Sequence, residues 1–543
     1  MNILVACRLM SGFVESVHSG RWQPSGSPAL YRLFDALIDR GDTVRLLLTA
    51  KEAGRSFDAA WPERHDRDIA LDGLVAKVTI LTGAARLPAC FGRWRGHLAD
   101  LRQTWRIWCT VRRDRPDLLY VDRANILAGA LVARFTRTPV VLRVLGVTPA
   151  MKEMAIGSAP THRLDRWCYR APFALVIGTD EGSGTRQWLG RLLHPGVARA
   201  VRVNGADRPE PDTAVTTDRA DDGRLHIALV GRLDTLKRCD EAVAGVLAMT
   251  PEKRKRIVLD IVGAGDRLAA LRARVDAAGA ADSVIFHGAV PHQRVADLLG
   301  GSDLYISLNR QGNLSNANLE ALAGGLGFIL PAPDPASGTD VETHLVIPDD
   351  AAIRLSGDRL EASLTETLET LVDDAAAVAA LRAGAAHAAK ALPDWPTRLQ
   401  WEVDQLATLA DTRPTDIAIV IADLAAGGAQ RVAIQLADAW SGAGRRIDLI
   451  TLAGTDGDFF TPSSAVRRRC IGATGVSQGT AGALIANLGR VLSLRRALRK
   501  SGARIAVSFI GPTNVLTVLA RFGLGIRLVI SERNDPAQQS FGR

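Results

Sequence analysis

The chain is poor in the residues that staple a fold or span a membrane. Its six cysteines (Cys7, Cys90, Cys109, Cys168, Cys239 and Cys470) are scattered over 543 residues, and none pairs with another as CxxC. That spacing reads as scattered, reduced core thiols in a cytoplasmic protein. No uninterrupted apolar run approaches the ~18 residues that cross a bilayer. The opening "MNILVACRLM" is broken by Arg8, so it reads as a first buried strand and not as a secretory leader. Acidic residues are in deficit: 67 Lys and Arg against 58 Asp and Glu leave a net charge of +9. Such a balance favours anionic partners, whether nucleotide diphosphates, acidic lipid surfaces or nucleic acid. An RNA-recognition signature and a regular basic-aromatic platform are both missing, which places nucleic acid last.

What the chain has is alternation. Short apolar runs ("NILVA", "VRLLLT", "LLYVD", "VVLRVLG", "ALVIGT") are separated by longer amphipathic stretches such as "ALYRLFDALIDRG". This is the rhythm of parallel strands with crossover helices, an α/β fold. It runs over residues 1–205, and the polar, Pro-containing "ADRPEPDTAVTTDRADDGR" then reads as a hinge. A second series ("LHIALVG", "RIVLDIVG", "SVIFHG", "DLYISL", "GFILP") fills residues 206–390, and a closing helix and linker occupy 391–412. Residues 413–543 begin again. "DIAIVIADLAAGGAQRVAIQLADAWSGAGRRIDLITLAG" repeats the plan of the opening, and "RIAVSFIGPTNVLTVLARFGLGIRLVISERND" mirrors "DLLYVDRANILAGALVARFTRTPVVLRVLG". We read this as an internal repeat at domain scale, which stops without a copy of the second domain behind it.

Ligands of open α/β sheets bind where strands end, so the loops after strands hold the candidates. In "LVGRLDTLKRCD", Gly231 permits a sharp exit from a strand, and Arg232 and Lys237 follow closely enough to reach one anion. A forked guanidinium with a point-charge ammonium suits a diphosphate; a solvated basic loop is the plain alternative. In "VGAGDRLAALRARV", Gly263 and Gly265 make a tight turn into a helix, where bare amides can receive a phosphate or a base edge, or where turn chemistry alone is at work. In "GNLSNANLEALAGG", Gly312, Asn313, Asn316 and Asn318 form a polar loop that leads into a small-residue helix. Helix is expected from about Asn318, with Glu320 in its first turn. There it is either a dipole partner or an acceptor for a vicinal diol.

These three sites follow successive strands, and together the sequence resembles the retaining GT-B glycosyltransferases, specifically glycosyltransferase family 4 (glycosyl transferases group 1). In that family "GRL…K" binds the donor diphosphate, a G-x-G-x-R turn lies near the base, and a loop-helix ending in Glu binds the ribose. The matching positions are Arg232, Lys237, Gly263, Gly265, Arg267 and Glu320. "VRVNGAD", with Asn204, Gly205 and Asp207, resembles the family's junction element. The resemblance implies a GT-B fold, two Rossmann-like domains facing a cleft, plus a third Rossmann-like domain. It covers about residues 1–405 as one enzyme and 415–543 as an acceptor-side domain of a second copy. It further implies retention of configuration without a metal or cofactor, with the donor phosphate helping to deprotonate the acceptor. Two departures stand out. The family motif has two glutamates with seven residues between them, and counting back from Glu320 lands on Gly312, not an acid; the position of a common histidine holds Leu145, with Arg143 the nearest polar group.

The acceptor side rests on the long loop after the first strand, with Gly12, Glu15, His18 and Arg21, and on Arg143. That loop is either a lid or a surface loop. "DRD" at 66–68 and "DGD" at 456–458 fit a DxD pattern and read as surface loops. "FGRWRGHLADLRQTWRIWCTVRRDR" places Leu98, Leu101, Trp105 and Trp108 on one helical stripe, near Trp94. The stripe faces either the core or an anionic membrane surface, and we favour the core. The expectation is a cytoplasmic glycosyltransferase, with peripheral membrane contact as an option. It would move a sugar from a nucleotide-diphospho-sugar to a saccharide or lipid-linked acceptor in polysaccharide or glycoconjugate synthesis. The alternatives are a non-catalytic nucleotide-sugar scaffold and a GT-B nucleotide-sugar epimerase.

Overall fold

A computed structural model describes residues 1–51, 63, 65–83, 94–157, 159–208, 222–412, 415–455, 457–472 and 480–532, apart from the side chains of residues 11, 94, 160, 412 and 480–485. Cys90, Asp456, most of the hinge and the end of "SERNDP" lie outside the described residues. The chain divides into two compact units, one made of Met1–Gly26, Leu37–Val141 and Asp404–Arg543, the other of Ser27–Ala36 and Leu142–Val403.

The first unit holds β1 (Asn2–Arg8), β2 (Thr43–Thr49), β3 (Arg67–Ile69), β4 (Lys77–Leu81) and β5 (Leu118–Asp122). They lie side by side in the order β3-β4-β2-β1-β5, all parallel except β3. The division between the units falls inside β6 (Val140–Val144), and the second unit continues with β7 (Leu175–Thr179) and its parallel neighbour β8 (Arg199–Arg202). The second unit also contains a complete sheet of β9 (Leu225–Val230), β10 (Ile257–Val262), β11 (Val284–Gly288), β12 (Leu304–Ile306), β13 (Gly327–Pro331) and β14 (Ala352–Leu355). Its order is β11-β10-β9-β12-β13-β14. The chain works outward in one direction and then restarts on the other side of β9. The crevice between the loops after β9 and β12 is therefore the topological switch point, where such sheets bind ligands.

These strands form because helices cover both faces of each sheet, so alternate residues are apolar in both directions. On β9, Ile227 and Leu229 point into a core with Leu233, Val243, Leu259 and Leu364. Ala228 between them points into another with Tyr305, Leu319 and Phe328. The third sheet, in the first unit, is built the same way from β15 (Ile417–Ile421), β16 (Ile447–Thr451), β17 (Arg467–Cys470), β18 (Ile505–Phe509) and β19 (Arg527–Ser531). Ile419 and Ile421 face one core, Ala418 and Val420 the other. Its order, β17-β16-β15-β18-β19, reproduces that of β4-β2-β1-β5-β6. Ion pairs Arg446–Asp117 at 3.4 Å and Arg115–Asp416 at 3.7 Å join the two sheets of this unit.

Several expectations change. The segment after β1 is a helix, Ser11–Ser19, and not an open loop. A side chain at Gly12 would collide with the Ser25 carbonyl, so Gly12 brings that strap close, and Phe13 stacks on Trp22 at 6.0 Å. Glu15 and His18 are exposed on this helix. In the helix Trp94–Asp114, the core side is Ala99, Gln103, Ile107 and Val111. Leu101 is 54% exposed and Trp105 63% exposed, so this part of the apolar stripe faces away from the core, against our preference. Trp108 meets Phe135 edge-on at 6.5 Å. Asp66 of the DRD segment is taken by Arg102 at 2.7 Å and Arg106 at 3.2 Å, and Asp68 accepts from the Thr79 hydroxyl at 2.6 Å. Asp458 pairs with Arg468.

Arg143 is the largest correction. It is 0% exposed within β6, donating to the Ile177 carbonyl at 3.3 Å. Its guanidinium lies 3.8 Å from Glu402 of the helix Trp395–Thr412, and Glu402 also pairs with Arg398 at 2.9 Å. This is a buried Arg–Glu–Arg triad that fastens the closing helix, not a group presented to an acceptor. Removing the central acid takes from two buried cations the carboxylate they share. Glu402→Ala is therefore expected to cost about 3–5 kcal/mol, and more than Arg143→Ala, as measured by denaturant unfolding of both variants.

Candidate functional site

The turn after β9 is shaped by Asp234. Its carboxylate accepts from the amides of Leu236 and Lys237, both at 3.0 Å, and pairs with Arg232 at 3.3 Å. Arg238 then takes a left-handed φ of 53° and starts the helix Cys239–Leu247. This folding turns the Lys237 side chain back beneath Gly231. Burial pulls the Lys237 ammonium below its usual range, and Asp234, Arg232 and Glu181 are the charges that act on it most. Arg232 and Lys237 thus share one short turn at the switch point, with Arg232 the more exposed of the two.

Gly263 and Gly265 are needed for contact between backbones. A side chain at Gly263 would run into the Gly231 carbonyl, and one at Gly265 into that of Leu233. The Gly263 amide donates to Gly288 at 2.8 Å, so it is not a bare phosphate donor. Arg267 is engaged by Asp240 through two hydrogen bonds of 3.1 and 2.6 Å. The glycines hold the Arg232 turn in place, and Arg267 braces the same neighbourhood.

The loop after β12 is likewise tied inward. Asn313 is fully buried: its amide and side-chain nitrogen donate to Asp340 at 2.8 and 2.5 Å, and its side-chain oxygen accepts from Ser307 and the Asn309 amide. Asn318, also buried, donates to the Asn313 carbonyl at 3.0 Å. Asn316 accepts from Asn204 at 2.8 Å. These amides shape the loop, which is why the sequence is so rich in Asn there. The helix spans Asn316–Ala323 with Ser315 as its cap, earlier than expected. Glu320 is its fifth residue and lies in the second turn, where the dipole has faded. Its carboxylate lies within 4.8 Å of ligand atoms of Asp207 and His292. Burial, opposed by His292 and reinforced by Asp207, pushes the Glu320 carboxyl up. Asp207 is held by two 2.8 Å hydrogen bonds from Arg32, whose guanidinium stacks 5.0 Å from the Trp395 ring. Gly205 of the junction element presses against the backbone of Trp395.

The structure adds a residue that sequence reasoning passed over. Glu181 follows β7, and both of its carboxylate oxygens lie where a Cβ on Gly146 would be. Its carbonyl accepts from the Leu314 amide at 3.0 Å, and the next carbonyl, of Gly182, accepts from the Asp340 amide at 2.6 Å. Gly312, with φ of 129°, lies against the backbone of residues 181–183, too close for any side chain. Lys152 closes the group by donating to the Ser337 carbonyl at 2.9 Å and the Thr339 hydroxyl at 3.0 Å. The signal available in the sequence was an acid followed by Gly-Ser-Gly at the exit of "ALVIGT". Of the other expected site residues, Gly12, Glu15 and His18 belong to the first unit, whereas Arg232, Lys237, Gly312 and Glu320 lie in the second.

Burial drives the Glu181 carboxyl up to about 7, against the lowering effect of the Ser183 hydroxyl and of Lys237. The folded protein therefore holds this proton more tightly than the unfolded chain. The stability it confers is complete below the unfolded value and is lost as pH rises through about 7. Glu181→Gln removes the titration. Each tenfold difference in proton affinity between folded and unfolded chain is worth ~1.4 kcal/mol. The stability of the variant relative to the parent is thus expected to rise by about 2–4 kcal/mol between about pH 4.5 and 8, as read from denaturant curves at several pH values.

Residues 217–336 match the family Glycosyl transferases group 1. The 2-deoxystreptamine N-acetyl-D-glucosaminyltransferase of Streptomyces fradiae is 27% identical, over 54% of this chain and 72% of the relative. Among solved structures, HepE of Anabaena in complex with UDP aligns with a TM-score of 0.52 and 16% identity, over 75% of this chain and all of that one. WaaG, a glycosyltransferase involved in lipopolysaccharide biosynthesis, aligns at 0.51 and 12% identity, over 74% and 99%. At such identities the structures speak for the fold alone. The chain therefore carries a glycosyl transferases group 1 domain, over the sheet that bears Arg232, Lys237 and Glu320, in a fold similar to that of GT-B glycosyltransferases.

Proposed function

We propose that the protein transfers a sugar from a nucleotide-diphospho-sugar to a saccharide or lipid-linked acceptor, in polysaccharide or glycoconjugate synthesis. The observation that carries this reading is the placing of Arg232 and the half-buried Lys237 in one turn at the switch point of β9 and β12. An ammonium that desolvation holds below its usual range gains from an anion placed beside it. A diphosphate leaving group develops charge as the sugar bond breaks, and fixed cations that meet this charge lower the barrier. Glu320, with Asp207, His292 and Arg32 around it, supplies the acceptor for the pentose hydroxyls.

On this reading the reaction retains configuration and needs no metal or cofactor, the donor phosphate receiving the acceptor's proton. The binding of UDP by the structural neighbour HepE supports a nucleotide donor, and the activity of the Streptomyces relative puts N-acetylglucosamine among the sugars to try. Residues 415–543 resemble a second acceptor-side domain and by themselves transfer no sugar.

The test begins with a thermal-shift screen of UDP, GDP, ADP and TDP sugars, followed by transfer assays with the best donor. A charge-assisted hydrogen bond is worth roughly 1.5–3 kcal/mol, so Arg232→Ala and Lys237→Ala should each lower kcat/KM about ten- to a hundredfold. Wild-type turnover by both variants removes the assignment.

Peripheral contact with an anionic membrane belongs to the same proposal. Among the described residues, Leu101, Trp105 and Phe135 present apolar surface beside the basic helix Trp94–Asp114. No helix of the described residues is long and apolar enough to cross a membrane. Co-sedimentation with vesicles should rise with anionic lipid content and fall in Trp105→Ala; indifference to lipid charge dismisses the contact.

A further inference from the structure

The mechanism above leaves one acid unused. Two partly buried acids of the second unit each keep their own company. Glu320 belongs with His292, Asp207 and Arg32, around the place assigned to the pentose. Glu181 belongs with Lys237 and Lys152. If Arg232 and Lys237 hold the diphosphate, as the proposed function requires, then a ligand runs from the pentose at Glu320, through the phosphates, to whatever lies beyond them. In a nucleotide-sugar that remaining part is the sugar.

We propose that Glu181 is the carboxylate that grips hydroxyl groups of the transferred sugar. Its placement is fixed from several sides. Gly146 leaves room for its two oxygens, and Gly182 and Gly312 let its turn dock against the loop after β12. The Leu314 and Asp340 amides clamp that turn by its carbonyls. The Ser183 hydroxyl accepts from the Val147 amide at 3.0 Å and lies 3.2 Å from that of Thr185, so the strap behind Glu181 is braced as well. Burying a carboxylate here costs free energy that Lys237 and Lys152 offset only in part. A sugar hydroxyl donates to a carboxylate oxygen and takes the place of the water lost on burial. The protonation that burial favours adds a second mode, in which the acid donates to a ring or hydroxyl oxygen.

The experiment compares binding of nucleoside diphosphate and of nucleotide-sugar by titration calorimetry at pH 7.5. UDP, GDP, ADP and TDP and their glucose and N-acetylglucosamine conjugates serve as probes. The parent, Glu181→Gln and Glu181→Ala are measured in full length. Glu181→Gln keeps the shape and decides the outcome should the alanine variant unfold. Removing the charge beside Lys237 should leave the bare diphosphate bound as tightly as before, or more tightly. Loss of the hydroxyl contact should weaken the nucleotide-sugar about ten- to a hundredfold. These opposite responses are the signature of a sugar contact. Equal weakening of both ligands, or of neither, overturns the role of Glu181 while leaving the nucleotide site intact. A parent that binds none of these nucleotides overturns the reading on which the proposal rests.

Discussion

One constraint governs the site: the backbone of residues 181–183 must lie directly on the backbone of Gly312, with no side chain between them. That approach makes the two short hydrogen bonds from Leu314 and Asp340 possible, and it sets where every nearby charge falls. Asp340 itself adopts a left-handed φ of 58° to reach both Gly182 and Asn313, a conformation that non-glycine residues adopt at some cost. The strain is offset by the bonds it permits, because Asp340 accepts from Asn313 twice and from the Thr343 hydroxyl. The loops after β7, β12 and β13 are thereby locked into one body.

The same packing explains the electrostatics. Lys237 and Glu181 are each pushed toward neutrality by burial and each pulled back by the other. Neither group fully satisfies the other, and both have a charge state that a ligand can change. A pair of this kind stores a preference for an anion next to a polar, hydroxyl-rich group, since the anion satisfies the lysine and the hydroxyls satisfy the acid. By contrast, the Arg32–Asp207 pair and the Asp240–Arg267 pair are satisfied by two hydrogen bonds each. They behave as scaffolding and hold the surrounding loops still.

The parallel strands can be read directly from the chain because helices on both faces make them continuously apolar, and "NILVACR" is buried along six of its seven positions. The repeated order of five strands is readable for the same reason. The glycines are legible as turns, but their purpose is not. Whether Gly263 offers an amide or yields space to Gly231 depends on a neighbouring strand that local sequence does not name. The asparagines after β12 mislead in the opposite direction: side chains able to meet a ligand are spent on one another and on Asp340. Arg143 is misjudged from sequence because its partner, Glu402, lies on a helix far along the chain. Glu181 escapes notice because its meaning comes from Gly146, Gly312 and Lys237, three residues that only the fold brings to it.

The crowding of Gly182, Gly184 and Gly312 also bears on how this site can be redesigned. Each has almost no tolerance for added bulk, since any side chain would strike backbone or buried polar atoms. Libraries that diversify these loops at random will mostly yield broken scaffolds. Position 181 is different: it projects a side chain from a rigid mount. Variation is best placed there, with the three glycines left as they are, and Gly146 with them, since a side chain at 146 would meet the Glu181 carboxylate.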